Sequence, residues 1–418
     1  MATLSWTGSA PSIAQVNTWT FTGTWSSADV ITVTIGSKAY TFTTGSATIA
    51  TFFASLLAAL QGLSSSLWPE FAEQTWGGTT PALTATANTA GKPFTCTIST
   101  NSALGTINGA SSSTGTATTA SSGPYDVSVA ANYSTGVLPA NGDTLIIDRE
   151  GARLRYGLDQ HTVTLAVRRI TAQDVQIGLP EINADAVAYS EYRPTFWKIG
   201  VTSDYVNSRS GRLKLDYYTI QTTCTVDYTG KGVDQNIPAL LINGTNASNA
   251  FNIFGGQVAF AFFGGNSCTV NTLKLDNAAT VTCNYGCTLN TANNYGGALT
   301  VNTSGGVATA LNHPQAGNAV TTILGTGGVA QLTAYGGTID YQTSGTLAGN
   351  TVLGGNAVLT FDNDQRARTV SNAITVYSAQ VVVTDQFLTC GTLTVNYQYC
   401  SPGRFGAGSK VAITRTPL

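Results

Sequence analysis

The chain is short of charge. Asp, Glu, Lys and Arg make up 10% of its 418 residues, against about 25% in an ordinary soluble domain. Its 19 basic residues are scattered among 21 acidic ones, for a net charge of -2. A nucleic-acid binder needs clustered Lys and Arg to displace counterions from phosphates, so that partner class is set aside. No run of 18 or more apolar residues occurs, so no membrane-crossing helix is expected. Histidine is nearly absent. His161 lies in QHTVTLAV and His313 in LNHPQ, both read as surface or corner positions, and neither suggests a Ser-His-Asp arrangement. The seven cysteines are an odd number, which argues against a complete disulfide framework. Cys283 and Cys287 have no histidine close enough in sequence to complete a zinc set. In an extended segment they would sit roughly 13 Å apart, too far for a disulfide. They read as small buried side chains; whether Cys390 and Cys400 meet across one turn stays open. The glycine pairs lack the Lys-Ser or Lys-Thr of a phosphate loop, and no cofactor is expected. In TFDNDQRA, Asp362, Asn363 and Asp364 could face a hard cation, but an Asx-rich turn is the preferred reading, and no metal site is expected.

What is present is patterned. DVITVTIGSKAYTFTT (29–44) alternates on both sides of Gly36-Ser37, as a hairpin with one buried face does. In the following segment Ile49, Phe52, Phe53, Leu56, Leu57 and Leu60 fall on one helical stripe, with Thr48 or Ser46 to cap it and Gly62 to end it. PALTATANTAGKPFTCTIST predicts a second hairpin around Gly91-Lys92. These elements form a small α+β domain over 21–109, preceded by an arm (1–20). The Ser/Thr/Ala/Gly run 110–123 reads as a linker.

The outer helix face carries Ala50, Thr51, Ala54, Ser55, Ala58 and Ala59, without a charge. Trp6, Trp19, Trp25, Trp68 and Trp76 all precede residue 77. Small helix faces and large aromatics suit a close-packed interface, so these tryptophans with Ala50, Ala54 and Ala58 are candidates for attachment to a larger assembly. The competing reading is that the tryptophans fill the domain's own core.

From 124 to 418 no amphipathic helix is convincing. Between Asn277 and Phe361 the only charged residue is Asp340. Glycine pairs begin at 255, 264, 296, 305, 327, 336 and 354, so separations of 9 and 18 recur. Short apolar phrases follow the same beat: VATAL at 307, AVTTIL at 319, VAQL at 329, TIDY at 338. This predicts a mainly β fold, a right-handed parallel β-helix or β-solenoid, with glycines at the corners, inward Val, Leu and Ile, and outward uncharged ladders. A β-sandwich of short strands is the alternative.

Solenoids can carry glycan-cleaving carboxylate pairs, and Asp159, Asp174, Glu181, Asp185, Glu191, Asp204 and Asp216 are candidates by location. None stands out by spacing, and the reading preferred is surface carboxylates paired with arginines. Tyr217, Tyr218, Tyr228, Tyr285 and Tyr295 could stack on sugar rings.

VITVTIGSKAYTFTTGSATIATFFASLLAAL, PEFAEQTW and ALTATANTAGKPFTCTIST together resemble a small domain of structural proteins of tailed bacteriophages and prophages. NYSTGVLPANGDTLIID is similar to a phrase at the entrance of phage and bacterial β-helical proteins, with Tyr133 where tryptophan is more usual. IGLPEINADAVAYSEYRPTFWKIGV and IPALLINGTNASNAF look like parts of the same group. The resemblance implies a non-enzymatic virion component, a fibre, spike or capsid decoration, assembled with other virion proteins and, by analogy, a homotrimer. A start without a basic-then-apolar leader agrees with a chain made in the host cytoplasm and packaged into a particle. A glycan-binding or glycan-cleaving tailspike and a bacterial adhesin are the alternatives.

Overall fold

A computed structural model of the protein describes residues 1–179, 193–230, 237–305, 308–315 and 317–361. Beyond these it describes 363–364, 366, 369–372, 374–377, 379–382, 393–398 and 411–415. The body is a parallel β-solenoid; among the described residues every pairing between its strands is parallel, which excludes the antiparallel sandwich. Two ladders run along it. One stacks Leu145, Arg168, Asp204, Cys224, Phe251, Leu273, Ala292 and Leu311. The other stacks Leu213, Leu240, Val258, Val281, Leu299, Thr321, Ile339 and Leu359. From Phe251 and Val258 onward the rungs are 18–23 residues apart, so each turn spends two of the ten-residue beats and lays down one strand in each ladder. All these side chains are buried. Outward asparagines bond from rung to rung, Asn271 with Asn290 at 3.2 Å and Asn293 with Asn312 at 3.1 Å.

The corners explain the glycines. At Gly337 φ is +74°, and a Cβ there would lie 2.1 Å from the Ala319 carbonyl oxygen of the turn below. Only glycine allows both the left-handed backbone and the close approach.

His313, read as a surface or corner position, does end a strand, Ala308–His313, but its side chain is inside. It is 1% exposed, with Nδ1 2.9 Å from the Gly336 carbonyl and Nε2 2.8 Å from the Thr321 hydroxyl. A carbonyl only accepts, so Nδ1 donates, and in the neutral ring Nε2 takes the Thr321 hydroxyl proton as acceptor. Burial lowers its pKa, with the Gly336 carbonyl opposing the shift. The unfolded chain thus takes up a proton that the folded chain refuses. The stability contributed by neutral His313 is complete above the ordinary histidine pKa of about 6.5 and is lost as pH falls below it. Urea midpoints of His313→Gln should vary less than the parent's between about pH 7 and 5; equal slopes would remove His313 from the acid response.

The N-terminal region requires three corrections. First, residues 1–12 are not part of an arm to the small domain. Thr3–Ser5 pairs in parallel with the first rung, Thr144–Ile147, and the Ala2 amide donates to Asp143 Oδ1 at 2.6 Å. Leu4 and Trp6 join the solenoid core, where Trp6 meets Tyr133 edge-on at 5.3 Å. The chain then leaves, forms the small domain and returns. Ile13 bridges Ser122, with the Ile13 amide 2.7 Å from the Ser122 carbonyl. The small domain, residues 13–122, is an insertion after the solenoid's first strand.

Second, 110–123 is not a linker. Ser112–Ser113 and Thr116–Thr119 are strands, paired with Cys96–Thr100 and Val16–Gly23. Its small residues serve contact. A Cβ on Gly115 would lie 2.6 Å from the Trp19 ring, and Trp19 Nε1 donates to Ser113 O at 3.1 Å.

Third, the expected second hairpin does not form around Gly91-Lys92. Ala82–Ala87 pairs with Gln74–Thr79 across Thr80-Pro81, while Cys96–Thr100 crosses to the other sheet and pairs with Val30–Ile35. Lys92, at the crossing, is buried in an ion pair with Glu73 at 2.6 Å. The first hairpin and the helix Ile49–Gln61 stand as read, with Phe52, Phe53, Leu56 and Leu60 buried. Thr48 occupies the capping position without a side-chain hydrogen bond.

Candidate functional site

One outward column collects charge. The strands Asp159–Ile170, Trp197–Ser208, Arg212–Asp216 and Leu240–Asn243 align so that Asp159 stands beside Lys198, Lys198 beside Asp216, and Asp216 beside Asn243. Strand alternation explains the placement: Trp197, Leu215 and Ile242, each one position earlier, point into the core and are fully buried. Neighbouring rungs lie about 4.8 Å apart, so Asp159 and Asp216 stand roughly 10 Å apart at their backbones with an ammonium between them.

Their surroundings differ. Asp159 is half exposed and lies 2.5 Å from His161 Nδ1. Partial burial raises its pKa, but the His161 side chain, the His161 amide and Lys198 together bring it below the ordinary value. Asp216 is held above the ordinary value by burial, with nearby Asp159 adding and the Tyr218 amide and Lys198 opposing. The Tyr218 N–H donates to Asp216 Oδ1 at 2.8 Å, and this holds Tyr218 in a left-handed turn, φ +55°. Its ring then lies over Lys198 Nζ, 4.3 Å from the centroid, and against His161 at 5.6 Å.

This column lines a lateral groove. A depression of about 230 Å³ contains Asp159, Phe196, Lys198, Asp216, Asn243 and Asn266. Another of about 240 Å³ shares the last four and adds Tyr218. A cleft of about 310 Å³ between the small domain (Pro93, Phe94) and the solenoid (Arg155, Tyr156) meets the groove at Asp159 and Pro194.

The other sequence candidates are dispersed. Asp174 pairs with Arg153 at 2.7 Å at the surface, as expected. Asp204 pairs with an arginine too, but inside the core rather than at the surface: Arg168 Nη2 is 2.6 Å away and the pair is 1% and 2% exposed. Glu181, Asp185, Glu191, Asp362, Cys390 and Cys400 lie outside the described residues. Asp340 accepts from Gln342 and Asn363, and Asp364 pairs with Arg366 at 2.5 Å and accepts its amide, the geometry of an Asx turn. Tyr217 is buried, Tyr228 and Tyr295 are partly buried, and Tyr285 is 67% exposed on the corner stacked next to Asn266; of the five, Tyr218 is the one that lines the depressions.

The attachment candidates divide. Trp6 belongs to the solenoid core; Trp19, Trp25 and Trp76 fill the small domain's own core, with Trp68 packed against it. None of the four buried rings is a free contact surface, because the sheets and helix of each unit close over it. Ala50, Ala54 and Ala58 are exposed on the helix.

Cys283 and Cys287 are unpaired side chains, as read, but the segment between them is not extended. They flank a corner: the Cys287 amide donates to Asn284 O at 2.8 Å. A hydrogen bond shared with Cys283, and then burial, pushes the Cys287 thiol up. Both are free thiols, with Cys268 on the adjacent rung.

No family model, curated protein or solved structure matches the chain. The groove is therefore read from its own chemistry. Asp159, Lys198, Asp216 and Asn243 were hidden in the sequence because the turns between them take 39, 18 and 27 residues. The usable signal was a polar residue directly after an apolar one in WK, LD and IN, at the end or start of a strand.

Proposed function

We propose that the protein is a non-enzymatic structural component of a tailed-phage virion, anchored through the inserted domain and projecting its solenoid as a fibre, spike or capsid decoration. One observation carries the reading. The parallel ladder begins at Thr3 and continues to Arg415, and the small domain is spliced into it at two adjacent points, Ile13 and Ser122. Two chain crossings transmit load and orientation better than one flexible tether. The resemblances of the N-terminal segments and the exposed, uncharged face of Ala50, Ala54 and Ala58 agree with an attachment role. Uncharged outer ladders suit side-by-side packing of three copies.

Quantitative mass spectrometry of purified particles tests this. Copies in a small multiple of three are expected for a fibre or spike, and copies approaching those of the major shell protein for a decoration. Absence from particles overturns the assignment. A second reading, a receptor-binding protein that recognises a host-surface glycan, is favoured by the lateral groove alone.

A further inference from the structure

We infer that the lateral groove running from Asp159 to Asn266 is a binding site for a neutral, polyhydroxylated ligand of the oligosaccharide class. The inference holds wherever the protein resides, and it concerns binding, not cleavage.

The deciding observation is a pair of orphaned amide atoms. Asn243 is only 7% exposed, and its Oδ1 is buried with no hydrogen-bond partner. Asn266 Nδ2, across the same depression, is likewise buried and unpartnered. Buried polar groups in folded proteins are nearly always satisfied, so an acceptor and a donor left open on one groove await groups that enter it. A hydroxyl serves both, because it donates once and accepts twice.

The rest of the groove narrows the class. Asp159 and Asp216 supply acceptors, and Lys198 supplies donors between them. With Lys214 Nζ 5.6 Å from the Phe263 ring, two lysines face two carboxylates, a balance that gives no strong positive field to attract a phosphate, sulfate or uronate. The Lys198 ammonium, in register between the two carboxylates, also opposes a divalent cation. What fits is an uncharged ligand rich in hydroxyls.

Aromatic edges complete the site. Tyr218 is 38% exposed, and Phe196 meets the 43%-exposed Phe263 edge-to-face at 6.3 Å. Such rings offer flat faces to the C–H side of a pyranose. The left-handed backbone of Tyr218 is the kind of local strain found where a side chain is held for a ligand. The two depressions share Lys198, Asp216, Asn243 and Asn266, and the first continues through Asp159 and Pro194 into the cleft at the small domain. A trough of this extent suits several linked sugars rather than one.

The test uses the full chain, immobilised and probed with neutral glucan, mannan and galactan oligosaccharides alongside sulfated and uronate-containing ones. At least one neutral member should bind. Tyr218→Gly removes the ring and keeps the left-handed turn; it should weaken binding by roughly tenfold or more, as should Asn243→Ala. Tyr335→Ala, on a 47%-exposed ring just past the strand Val329–Ala334 and outside both depressions, should leave binding unchanged. Should Asn243→Ala fail to fold, as judged by loss of its cooperative melt, Lys198→Met at the surface takes its place. Failure to bind any neutral oligosaccharide, binding confined to the anionic members, or equal affinity in the groove variants would overturn the inference. Because binding is measured on the isolated chain, the outcome is independent of whether the protein is found in particles.

Discussion

Asp204→Ala is expected to destabilise the solenoid by about 3–5 kcal/mol, read as a large drop in the urea midpoint. Arg168 and Asp204 are successive rungs of a column that otherwise reads Leu145, Cys224, Phe251, Leu273. The pair is bidentate, Nε to Oδ1 at 3.2 Å and Nη2 to Oδ2 at 2.6 Å, and the Tyr217 hydroxyl donates to Oδ2 at 2.7 Å. Burial opposes the charge on Arg168; the Asp204 carboxylate more than offsets this and keeps the guanidinium protonated. The rings of Trp197 and Tyr217 lie 5.0 and 5.7 Å from it. Truncating Asp204 leaves that cation in the core with neither counter-charge nor water. The double variant Arg168→Met, Asp204→Leu removes the problem with the pair and is expected within about 1 kcal/mol of the parent or above it. If Asp204→Ala melts with the parent, water reaches Arg168, and the pair is not the sealed contact described here. The pair also sits where 36 residues separate successive rungs, the longest step of this ladder, so it helps fix a register that spacing alone leaves loose.

The second large effect is expected from excision. Replacing residues 14–121 with a short Gly-Ser turn should leave a solenoid with its strand signal and a cooperative melt, while particle incorporation falls to background. The two units have separate cores, and Ile13 already touches Ser122, so the cut ends meet. Deleting residues 1–110 instead should harm the solenoid as well. That cut strips Leu4 and Trp6 from the first turn, and losing a buried tryptophan alone typically destabilises by about 3–5 kcal/mol. An excised chain that still enters particles would place attachment on the solenoid. An excised chain that does not fold would show that the small domain supports the first turns.

Much of the architecture was legible because it depends on local periodicity. Alternation of apolar and polar residues placed the hairpin at Gly36-Ser37, the helical stripe placed Ile49–Gln61, and the glycine beat announced a coil. The insertion was not legible, because Leu4 and Trp6 look like any apolar residues until Thr3–Ser5 is seen beside Thr144–Ile147, about 140 positions away. Nor could the run at 112–119 declare itself as strand, since its Ser, Thr and Gly gain their role only by lying flat against Trp19.

By itself, then, the sequence determined a charge-poor, glycine-cornered β-coil with a small α+β domain near its start, because these follow from which residue can turn and which must be buried. Only the tertiary structure decided which residues share a rung. Turn lengths in the charged part vary from 18 to 39 residues, and no local rule converts an irregular spacing into a register. That register sends Arg168 and Asp204 inward as a pair and turns Asp159, Lys198, Asp216 and Asn243 toward the groove as a column.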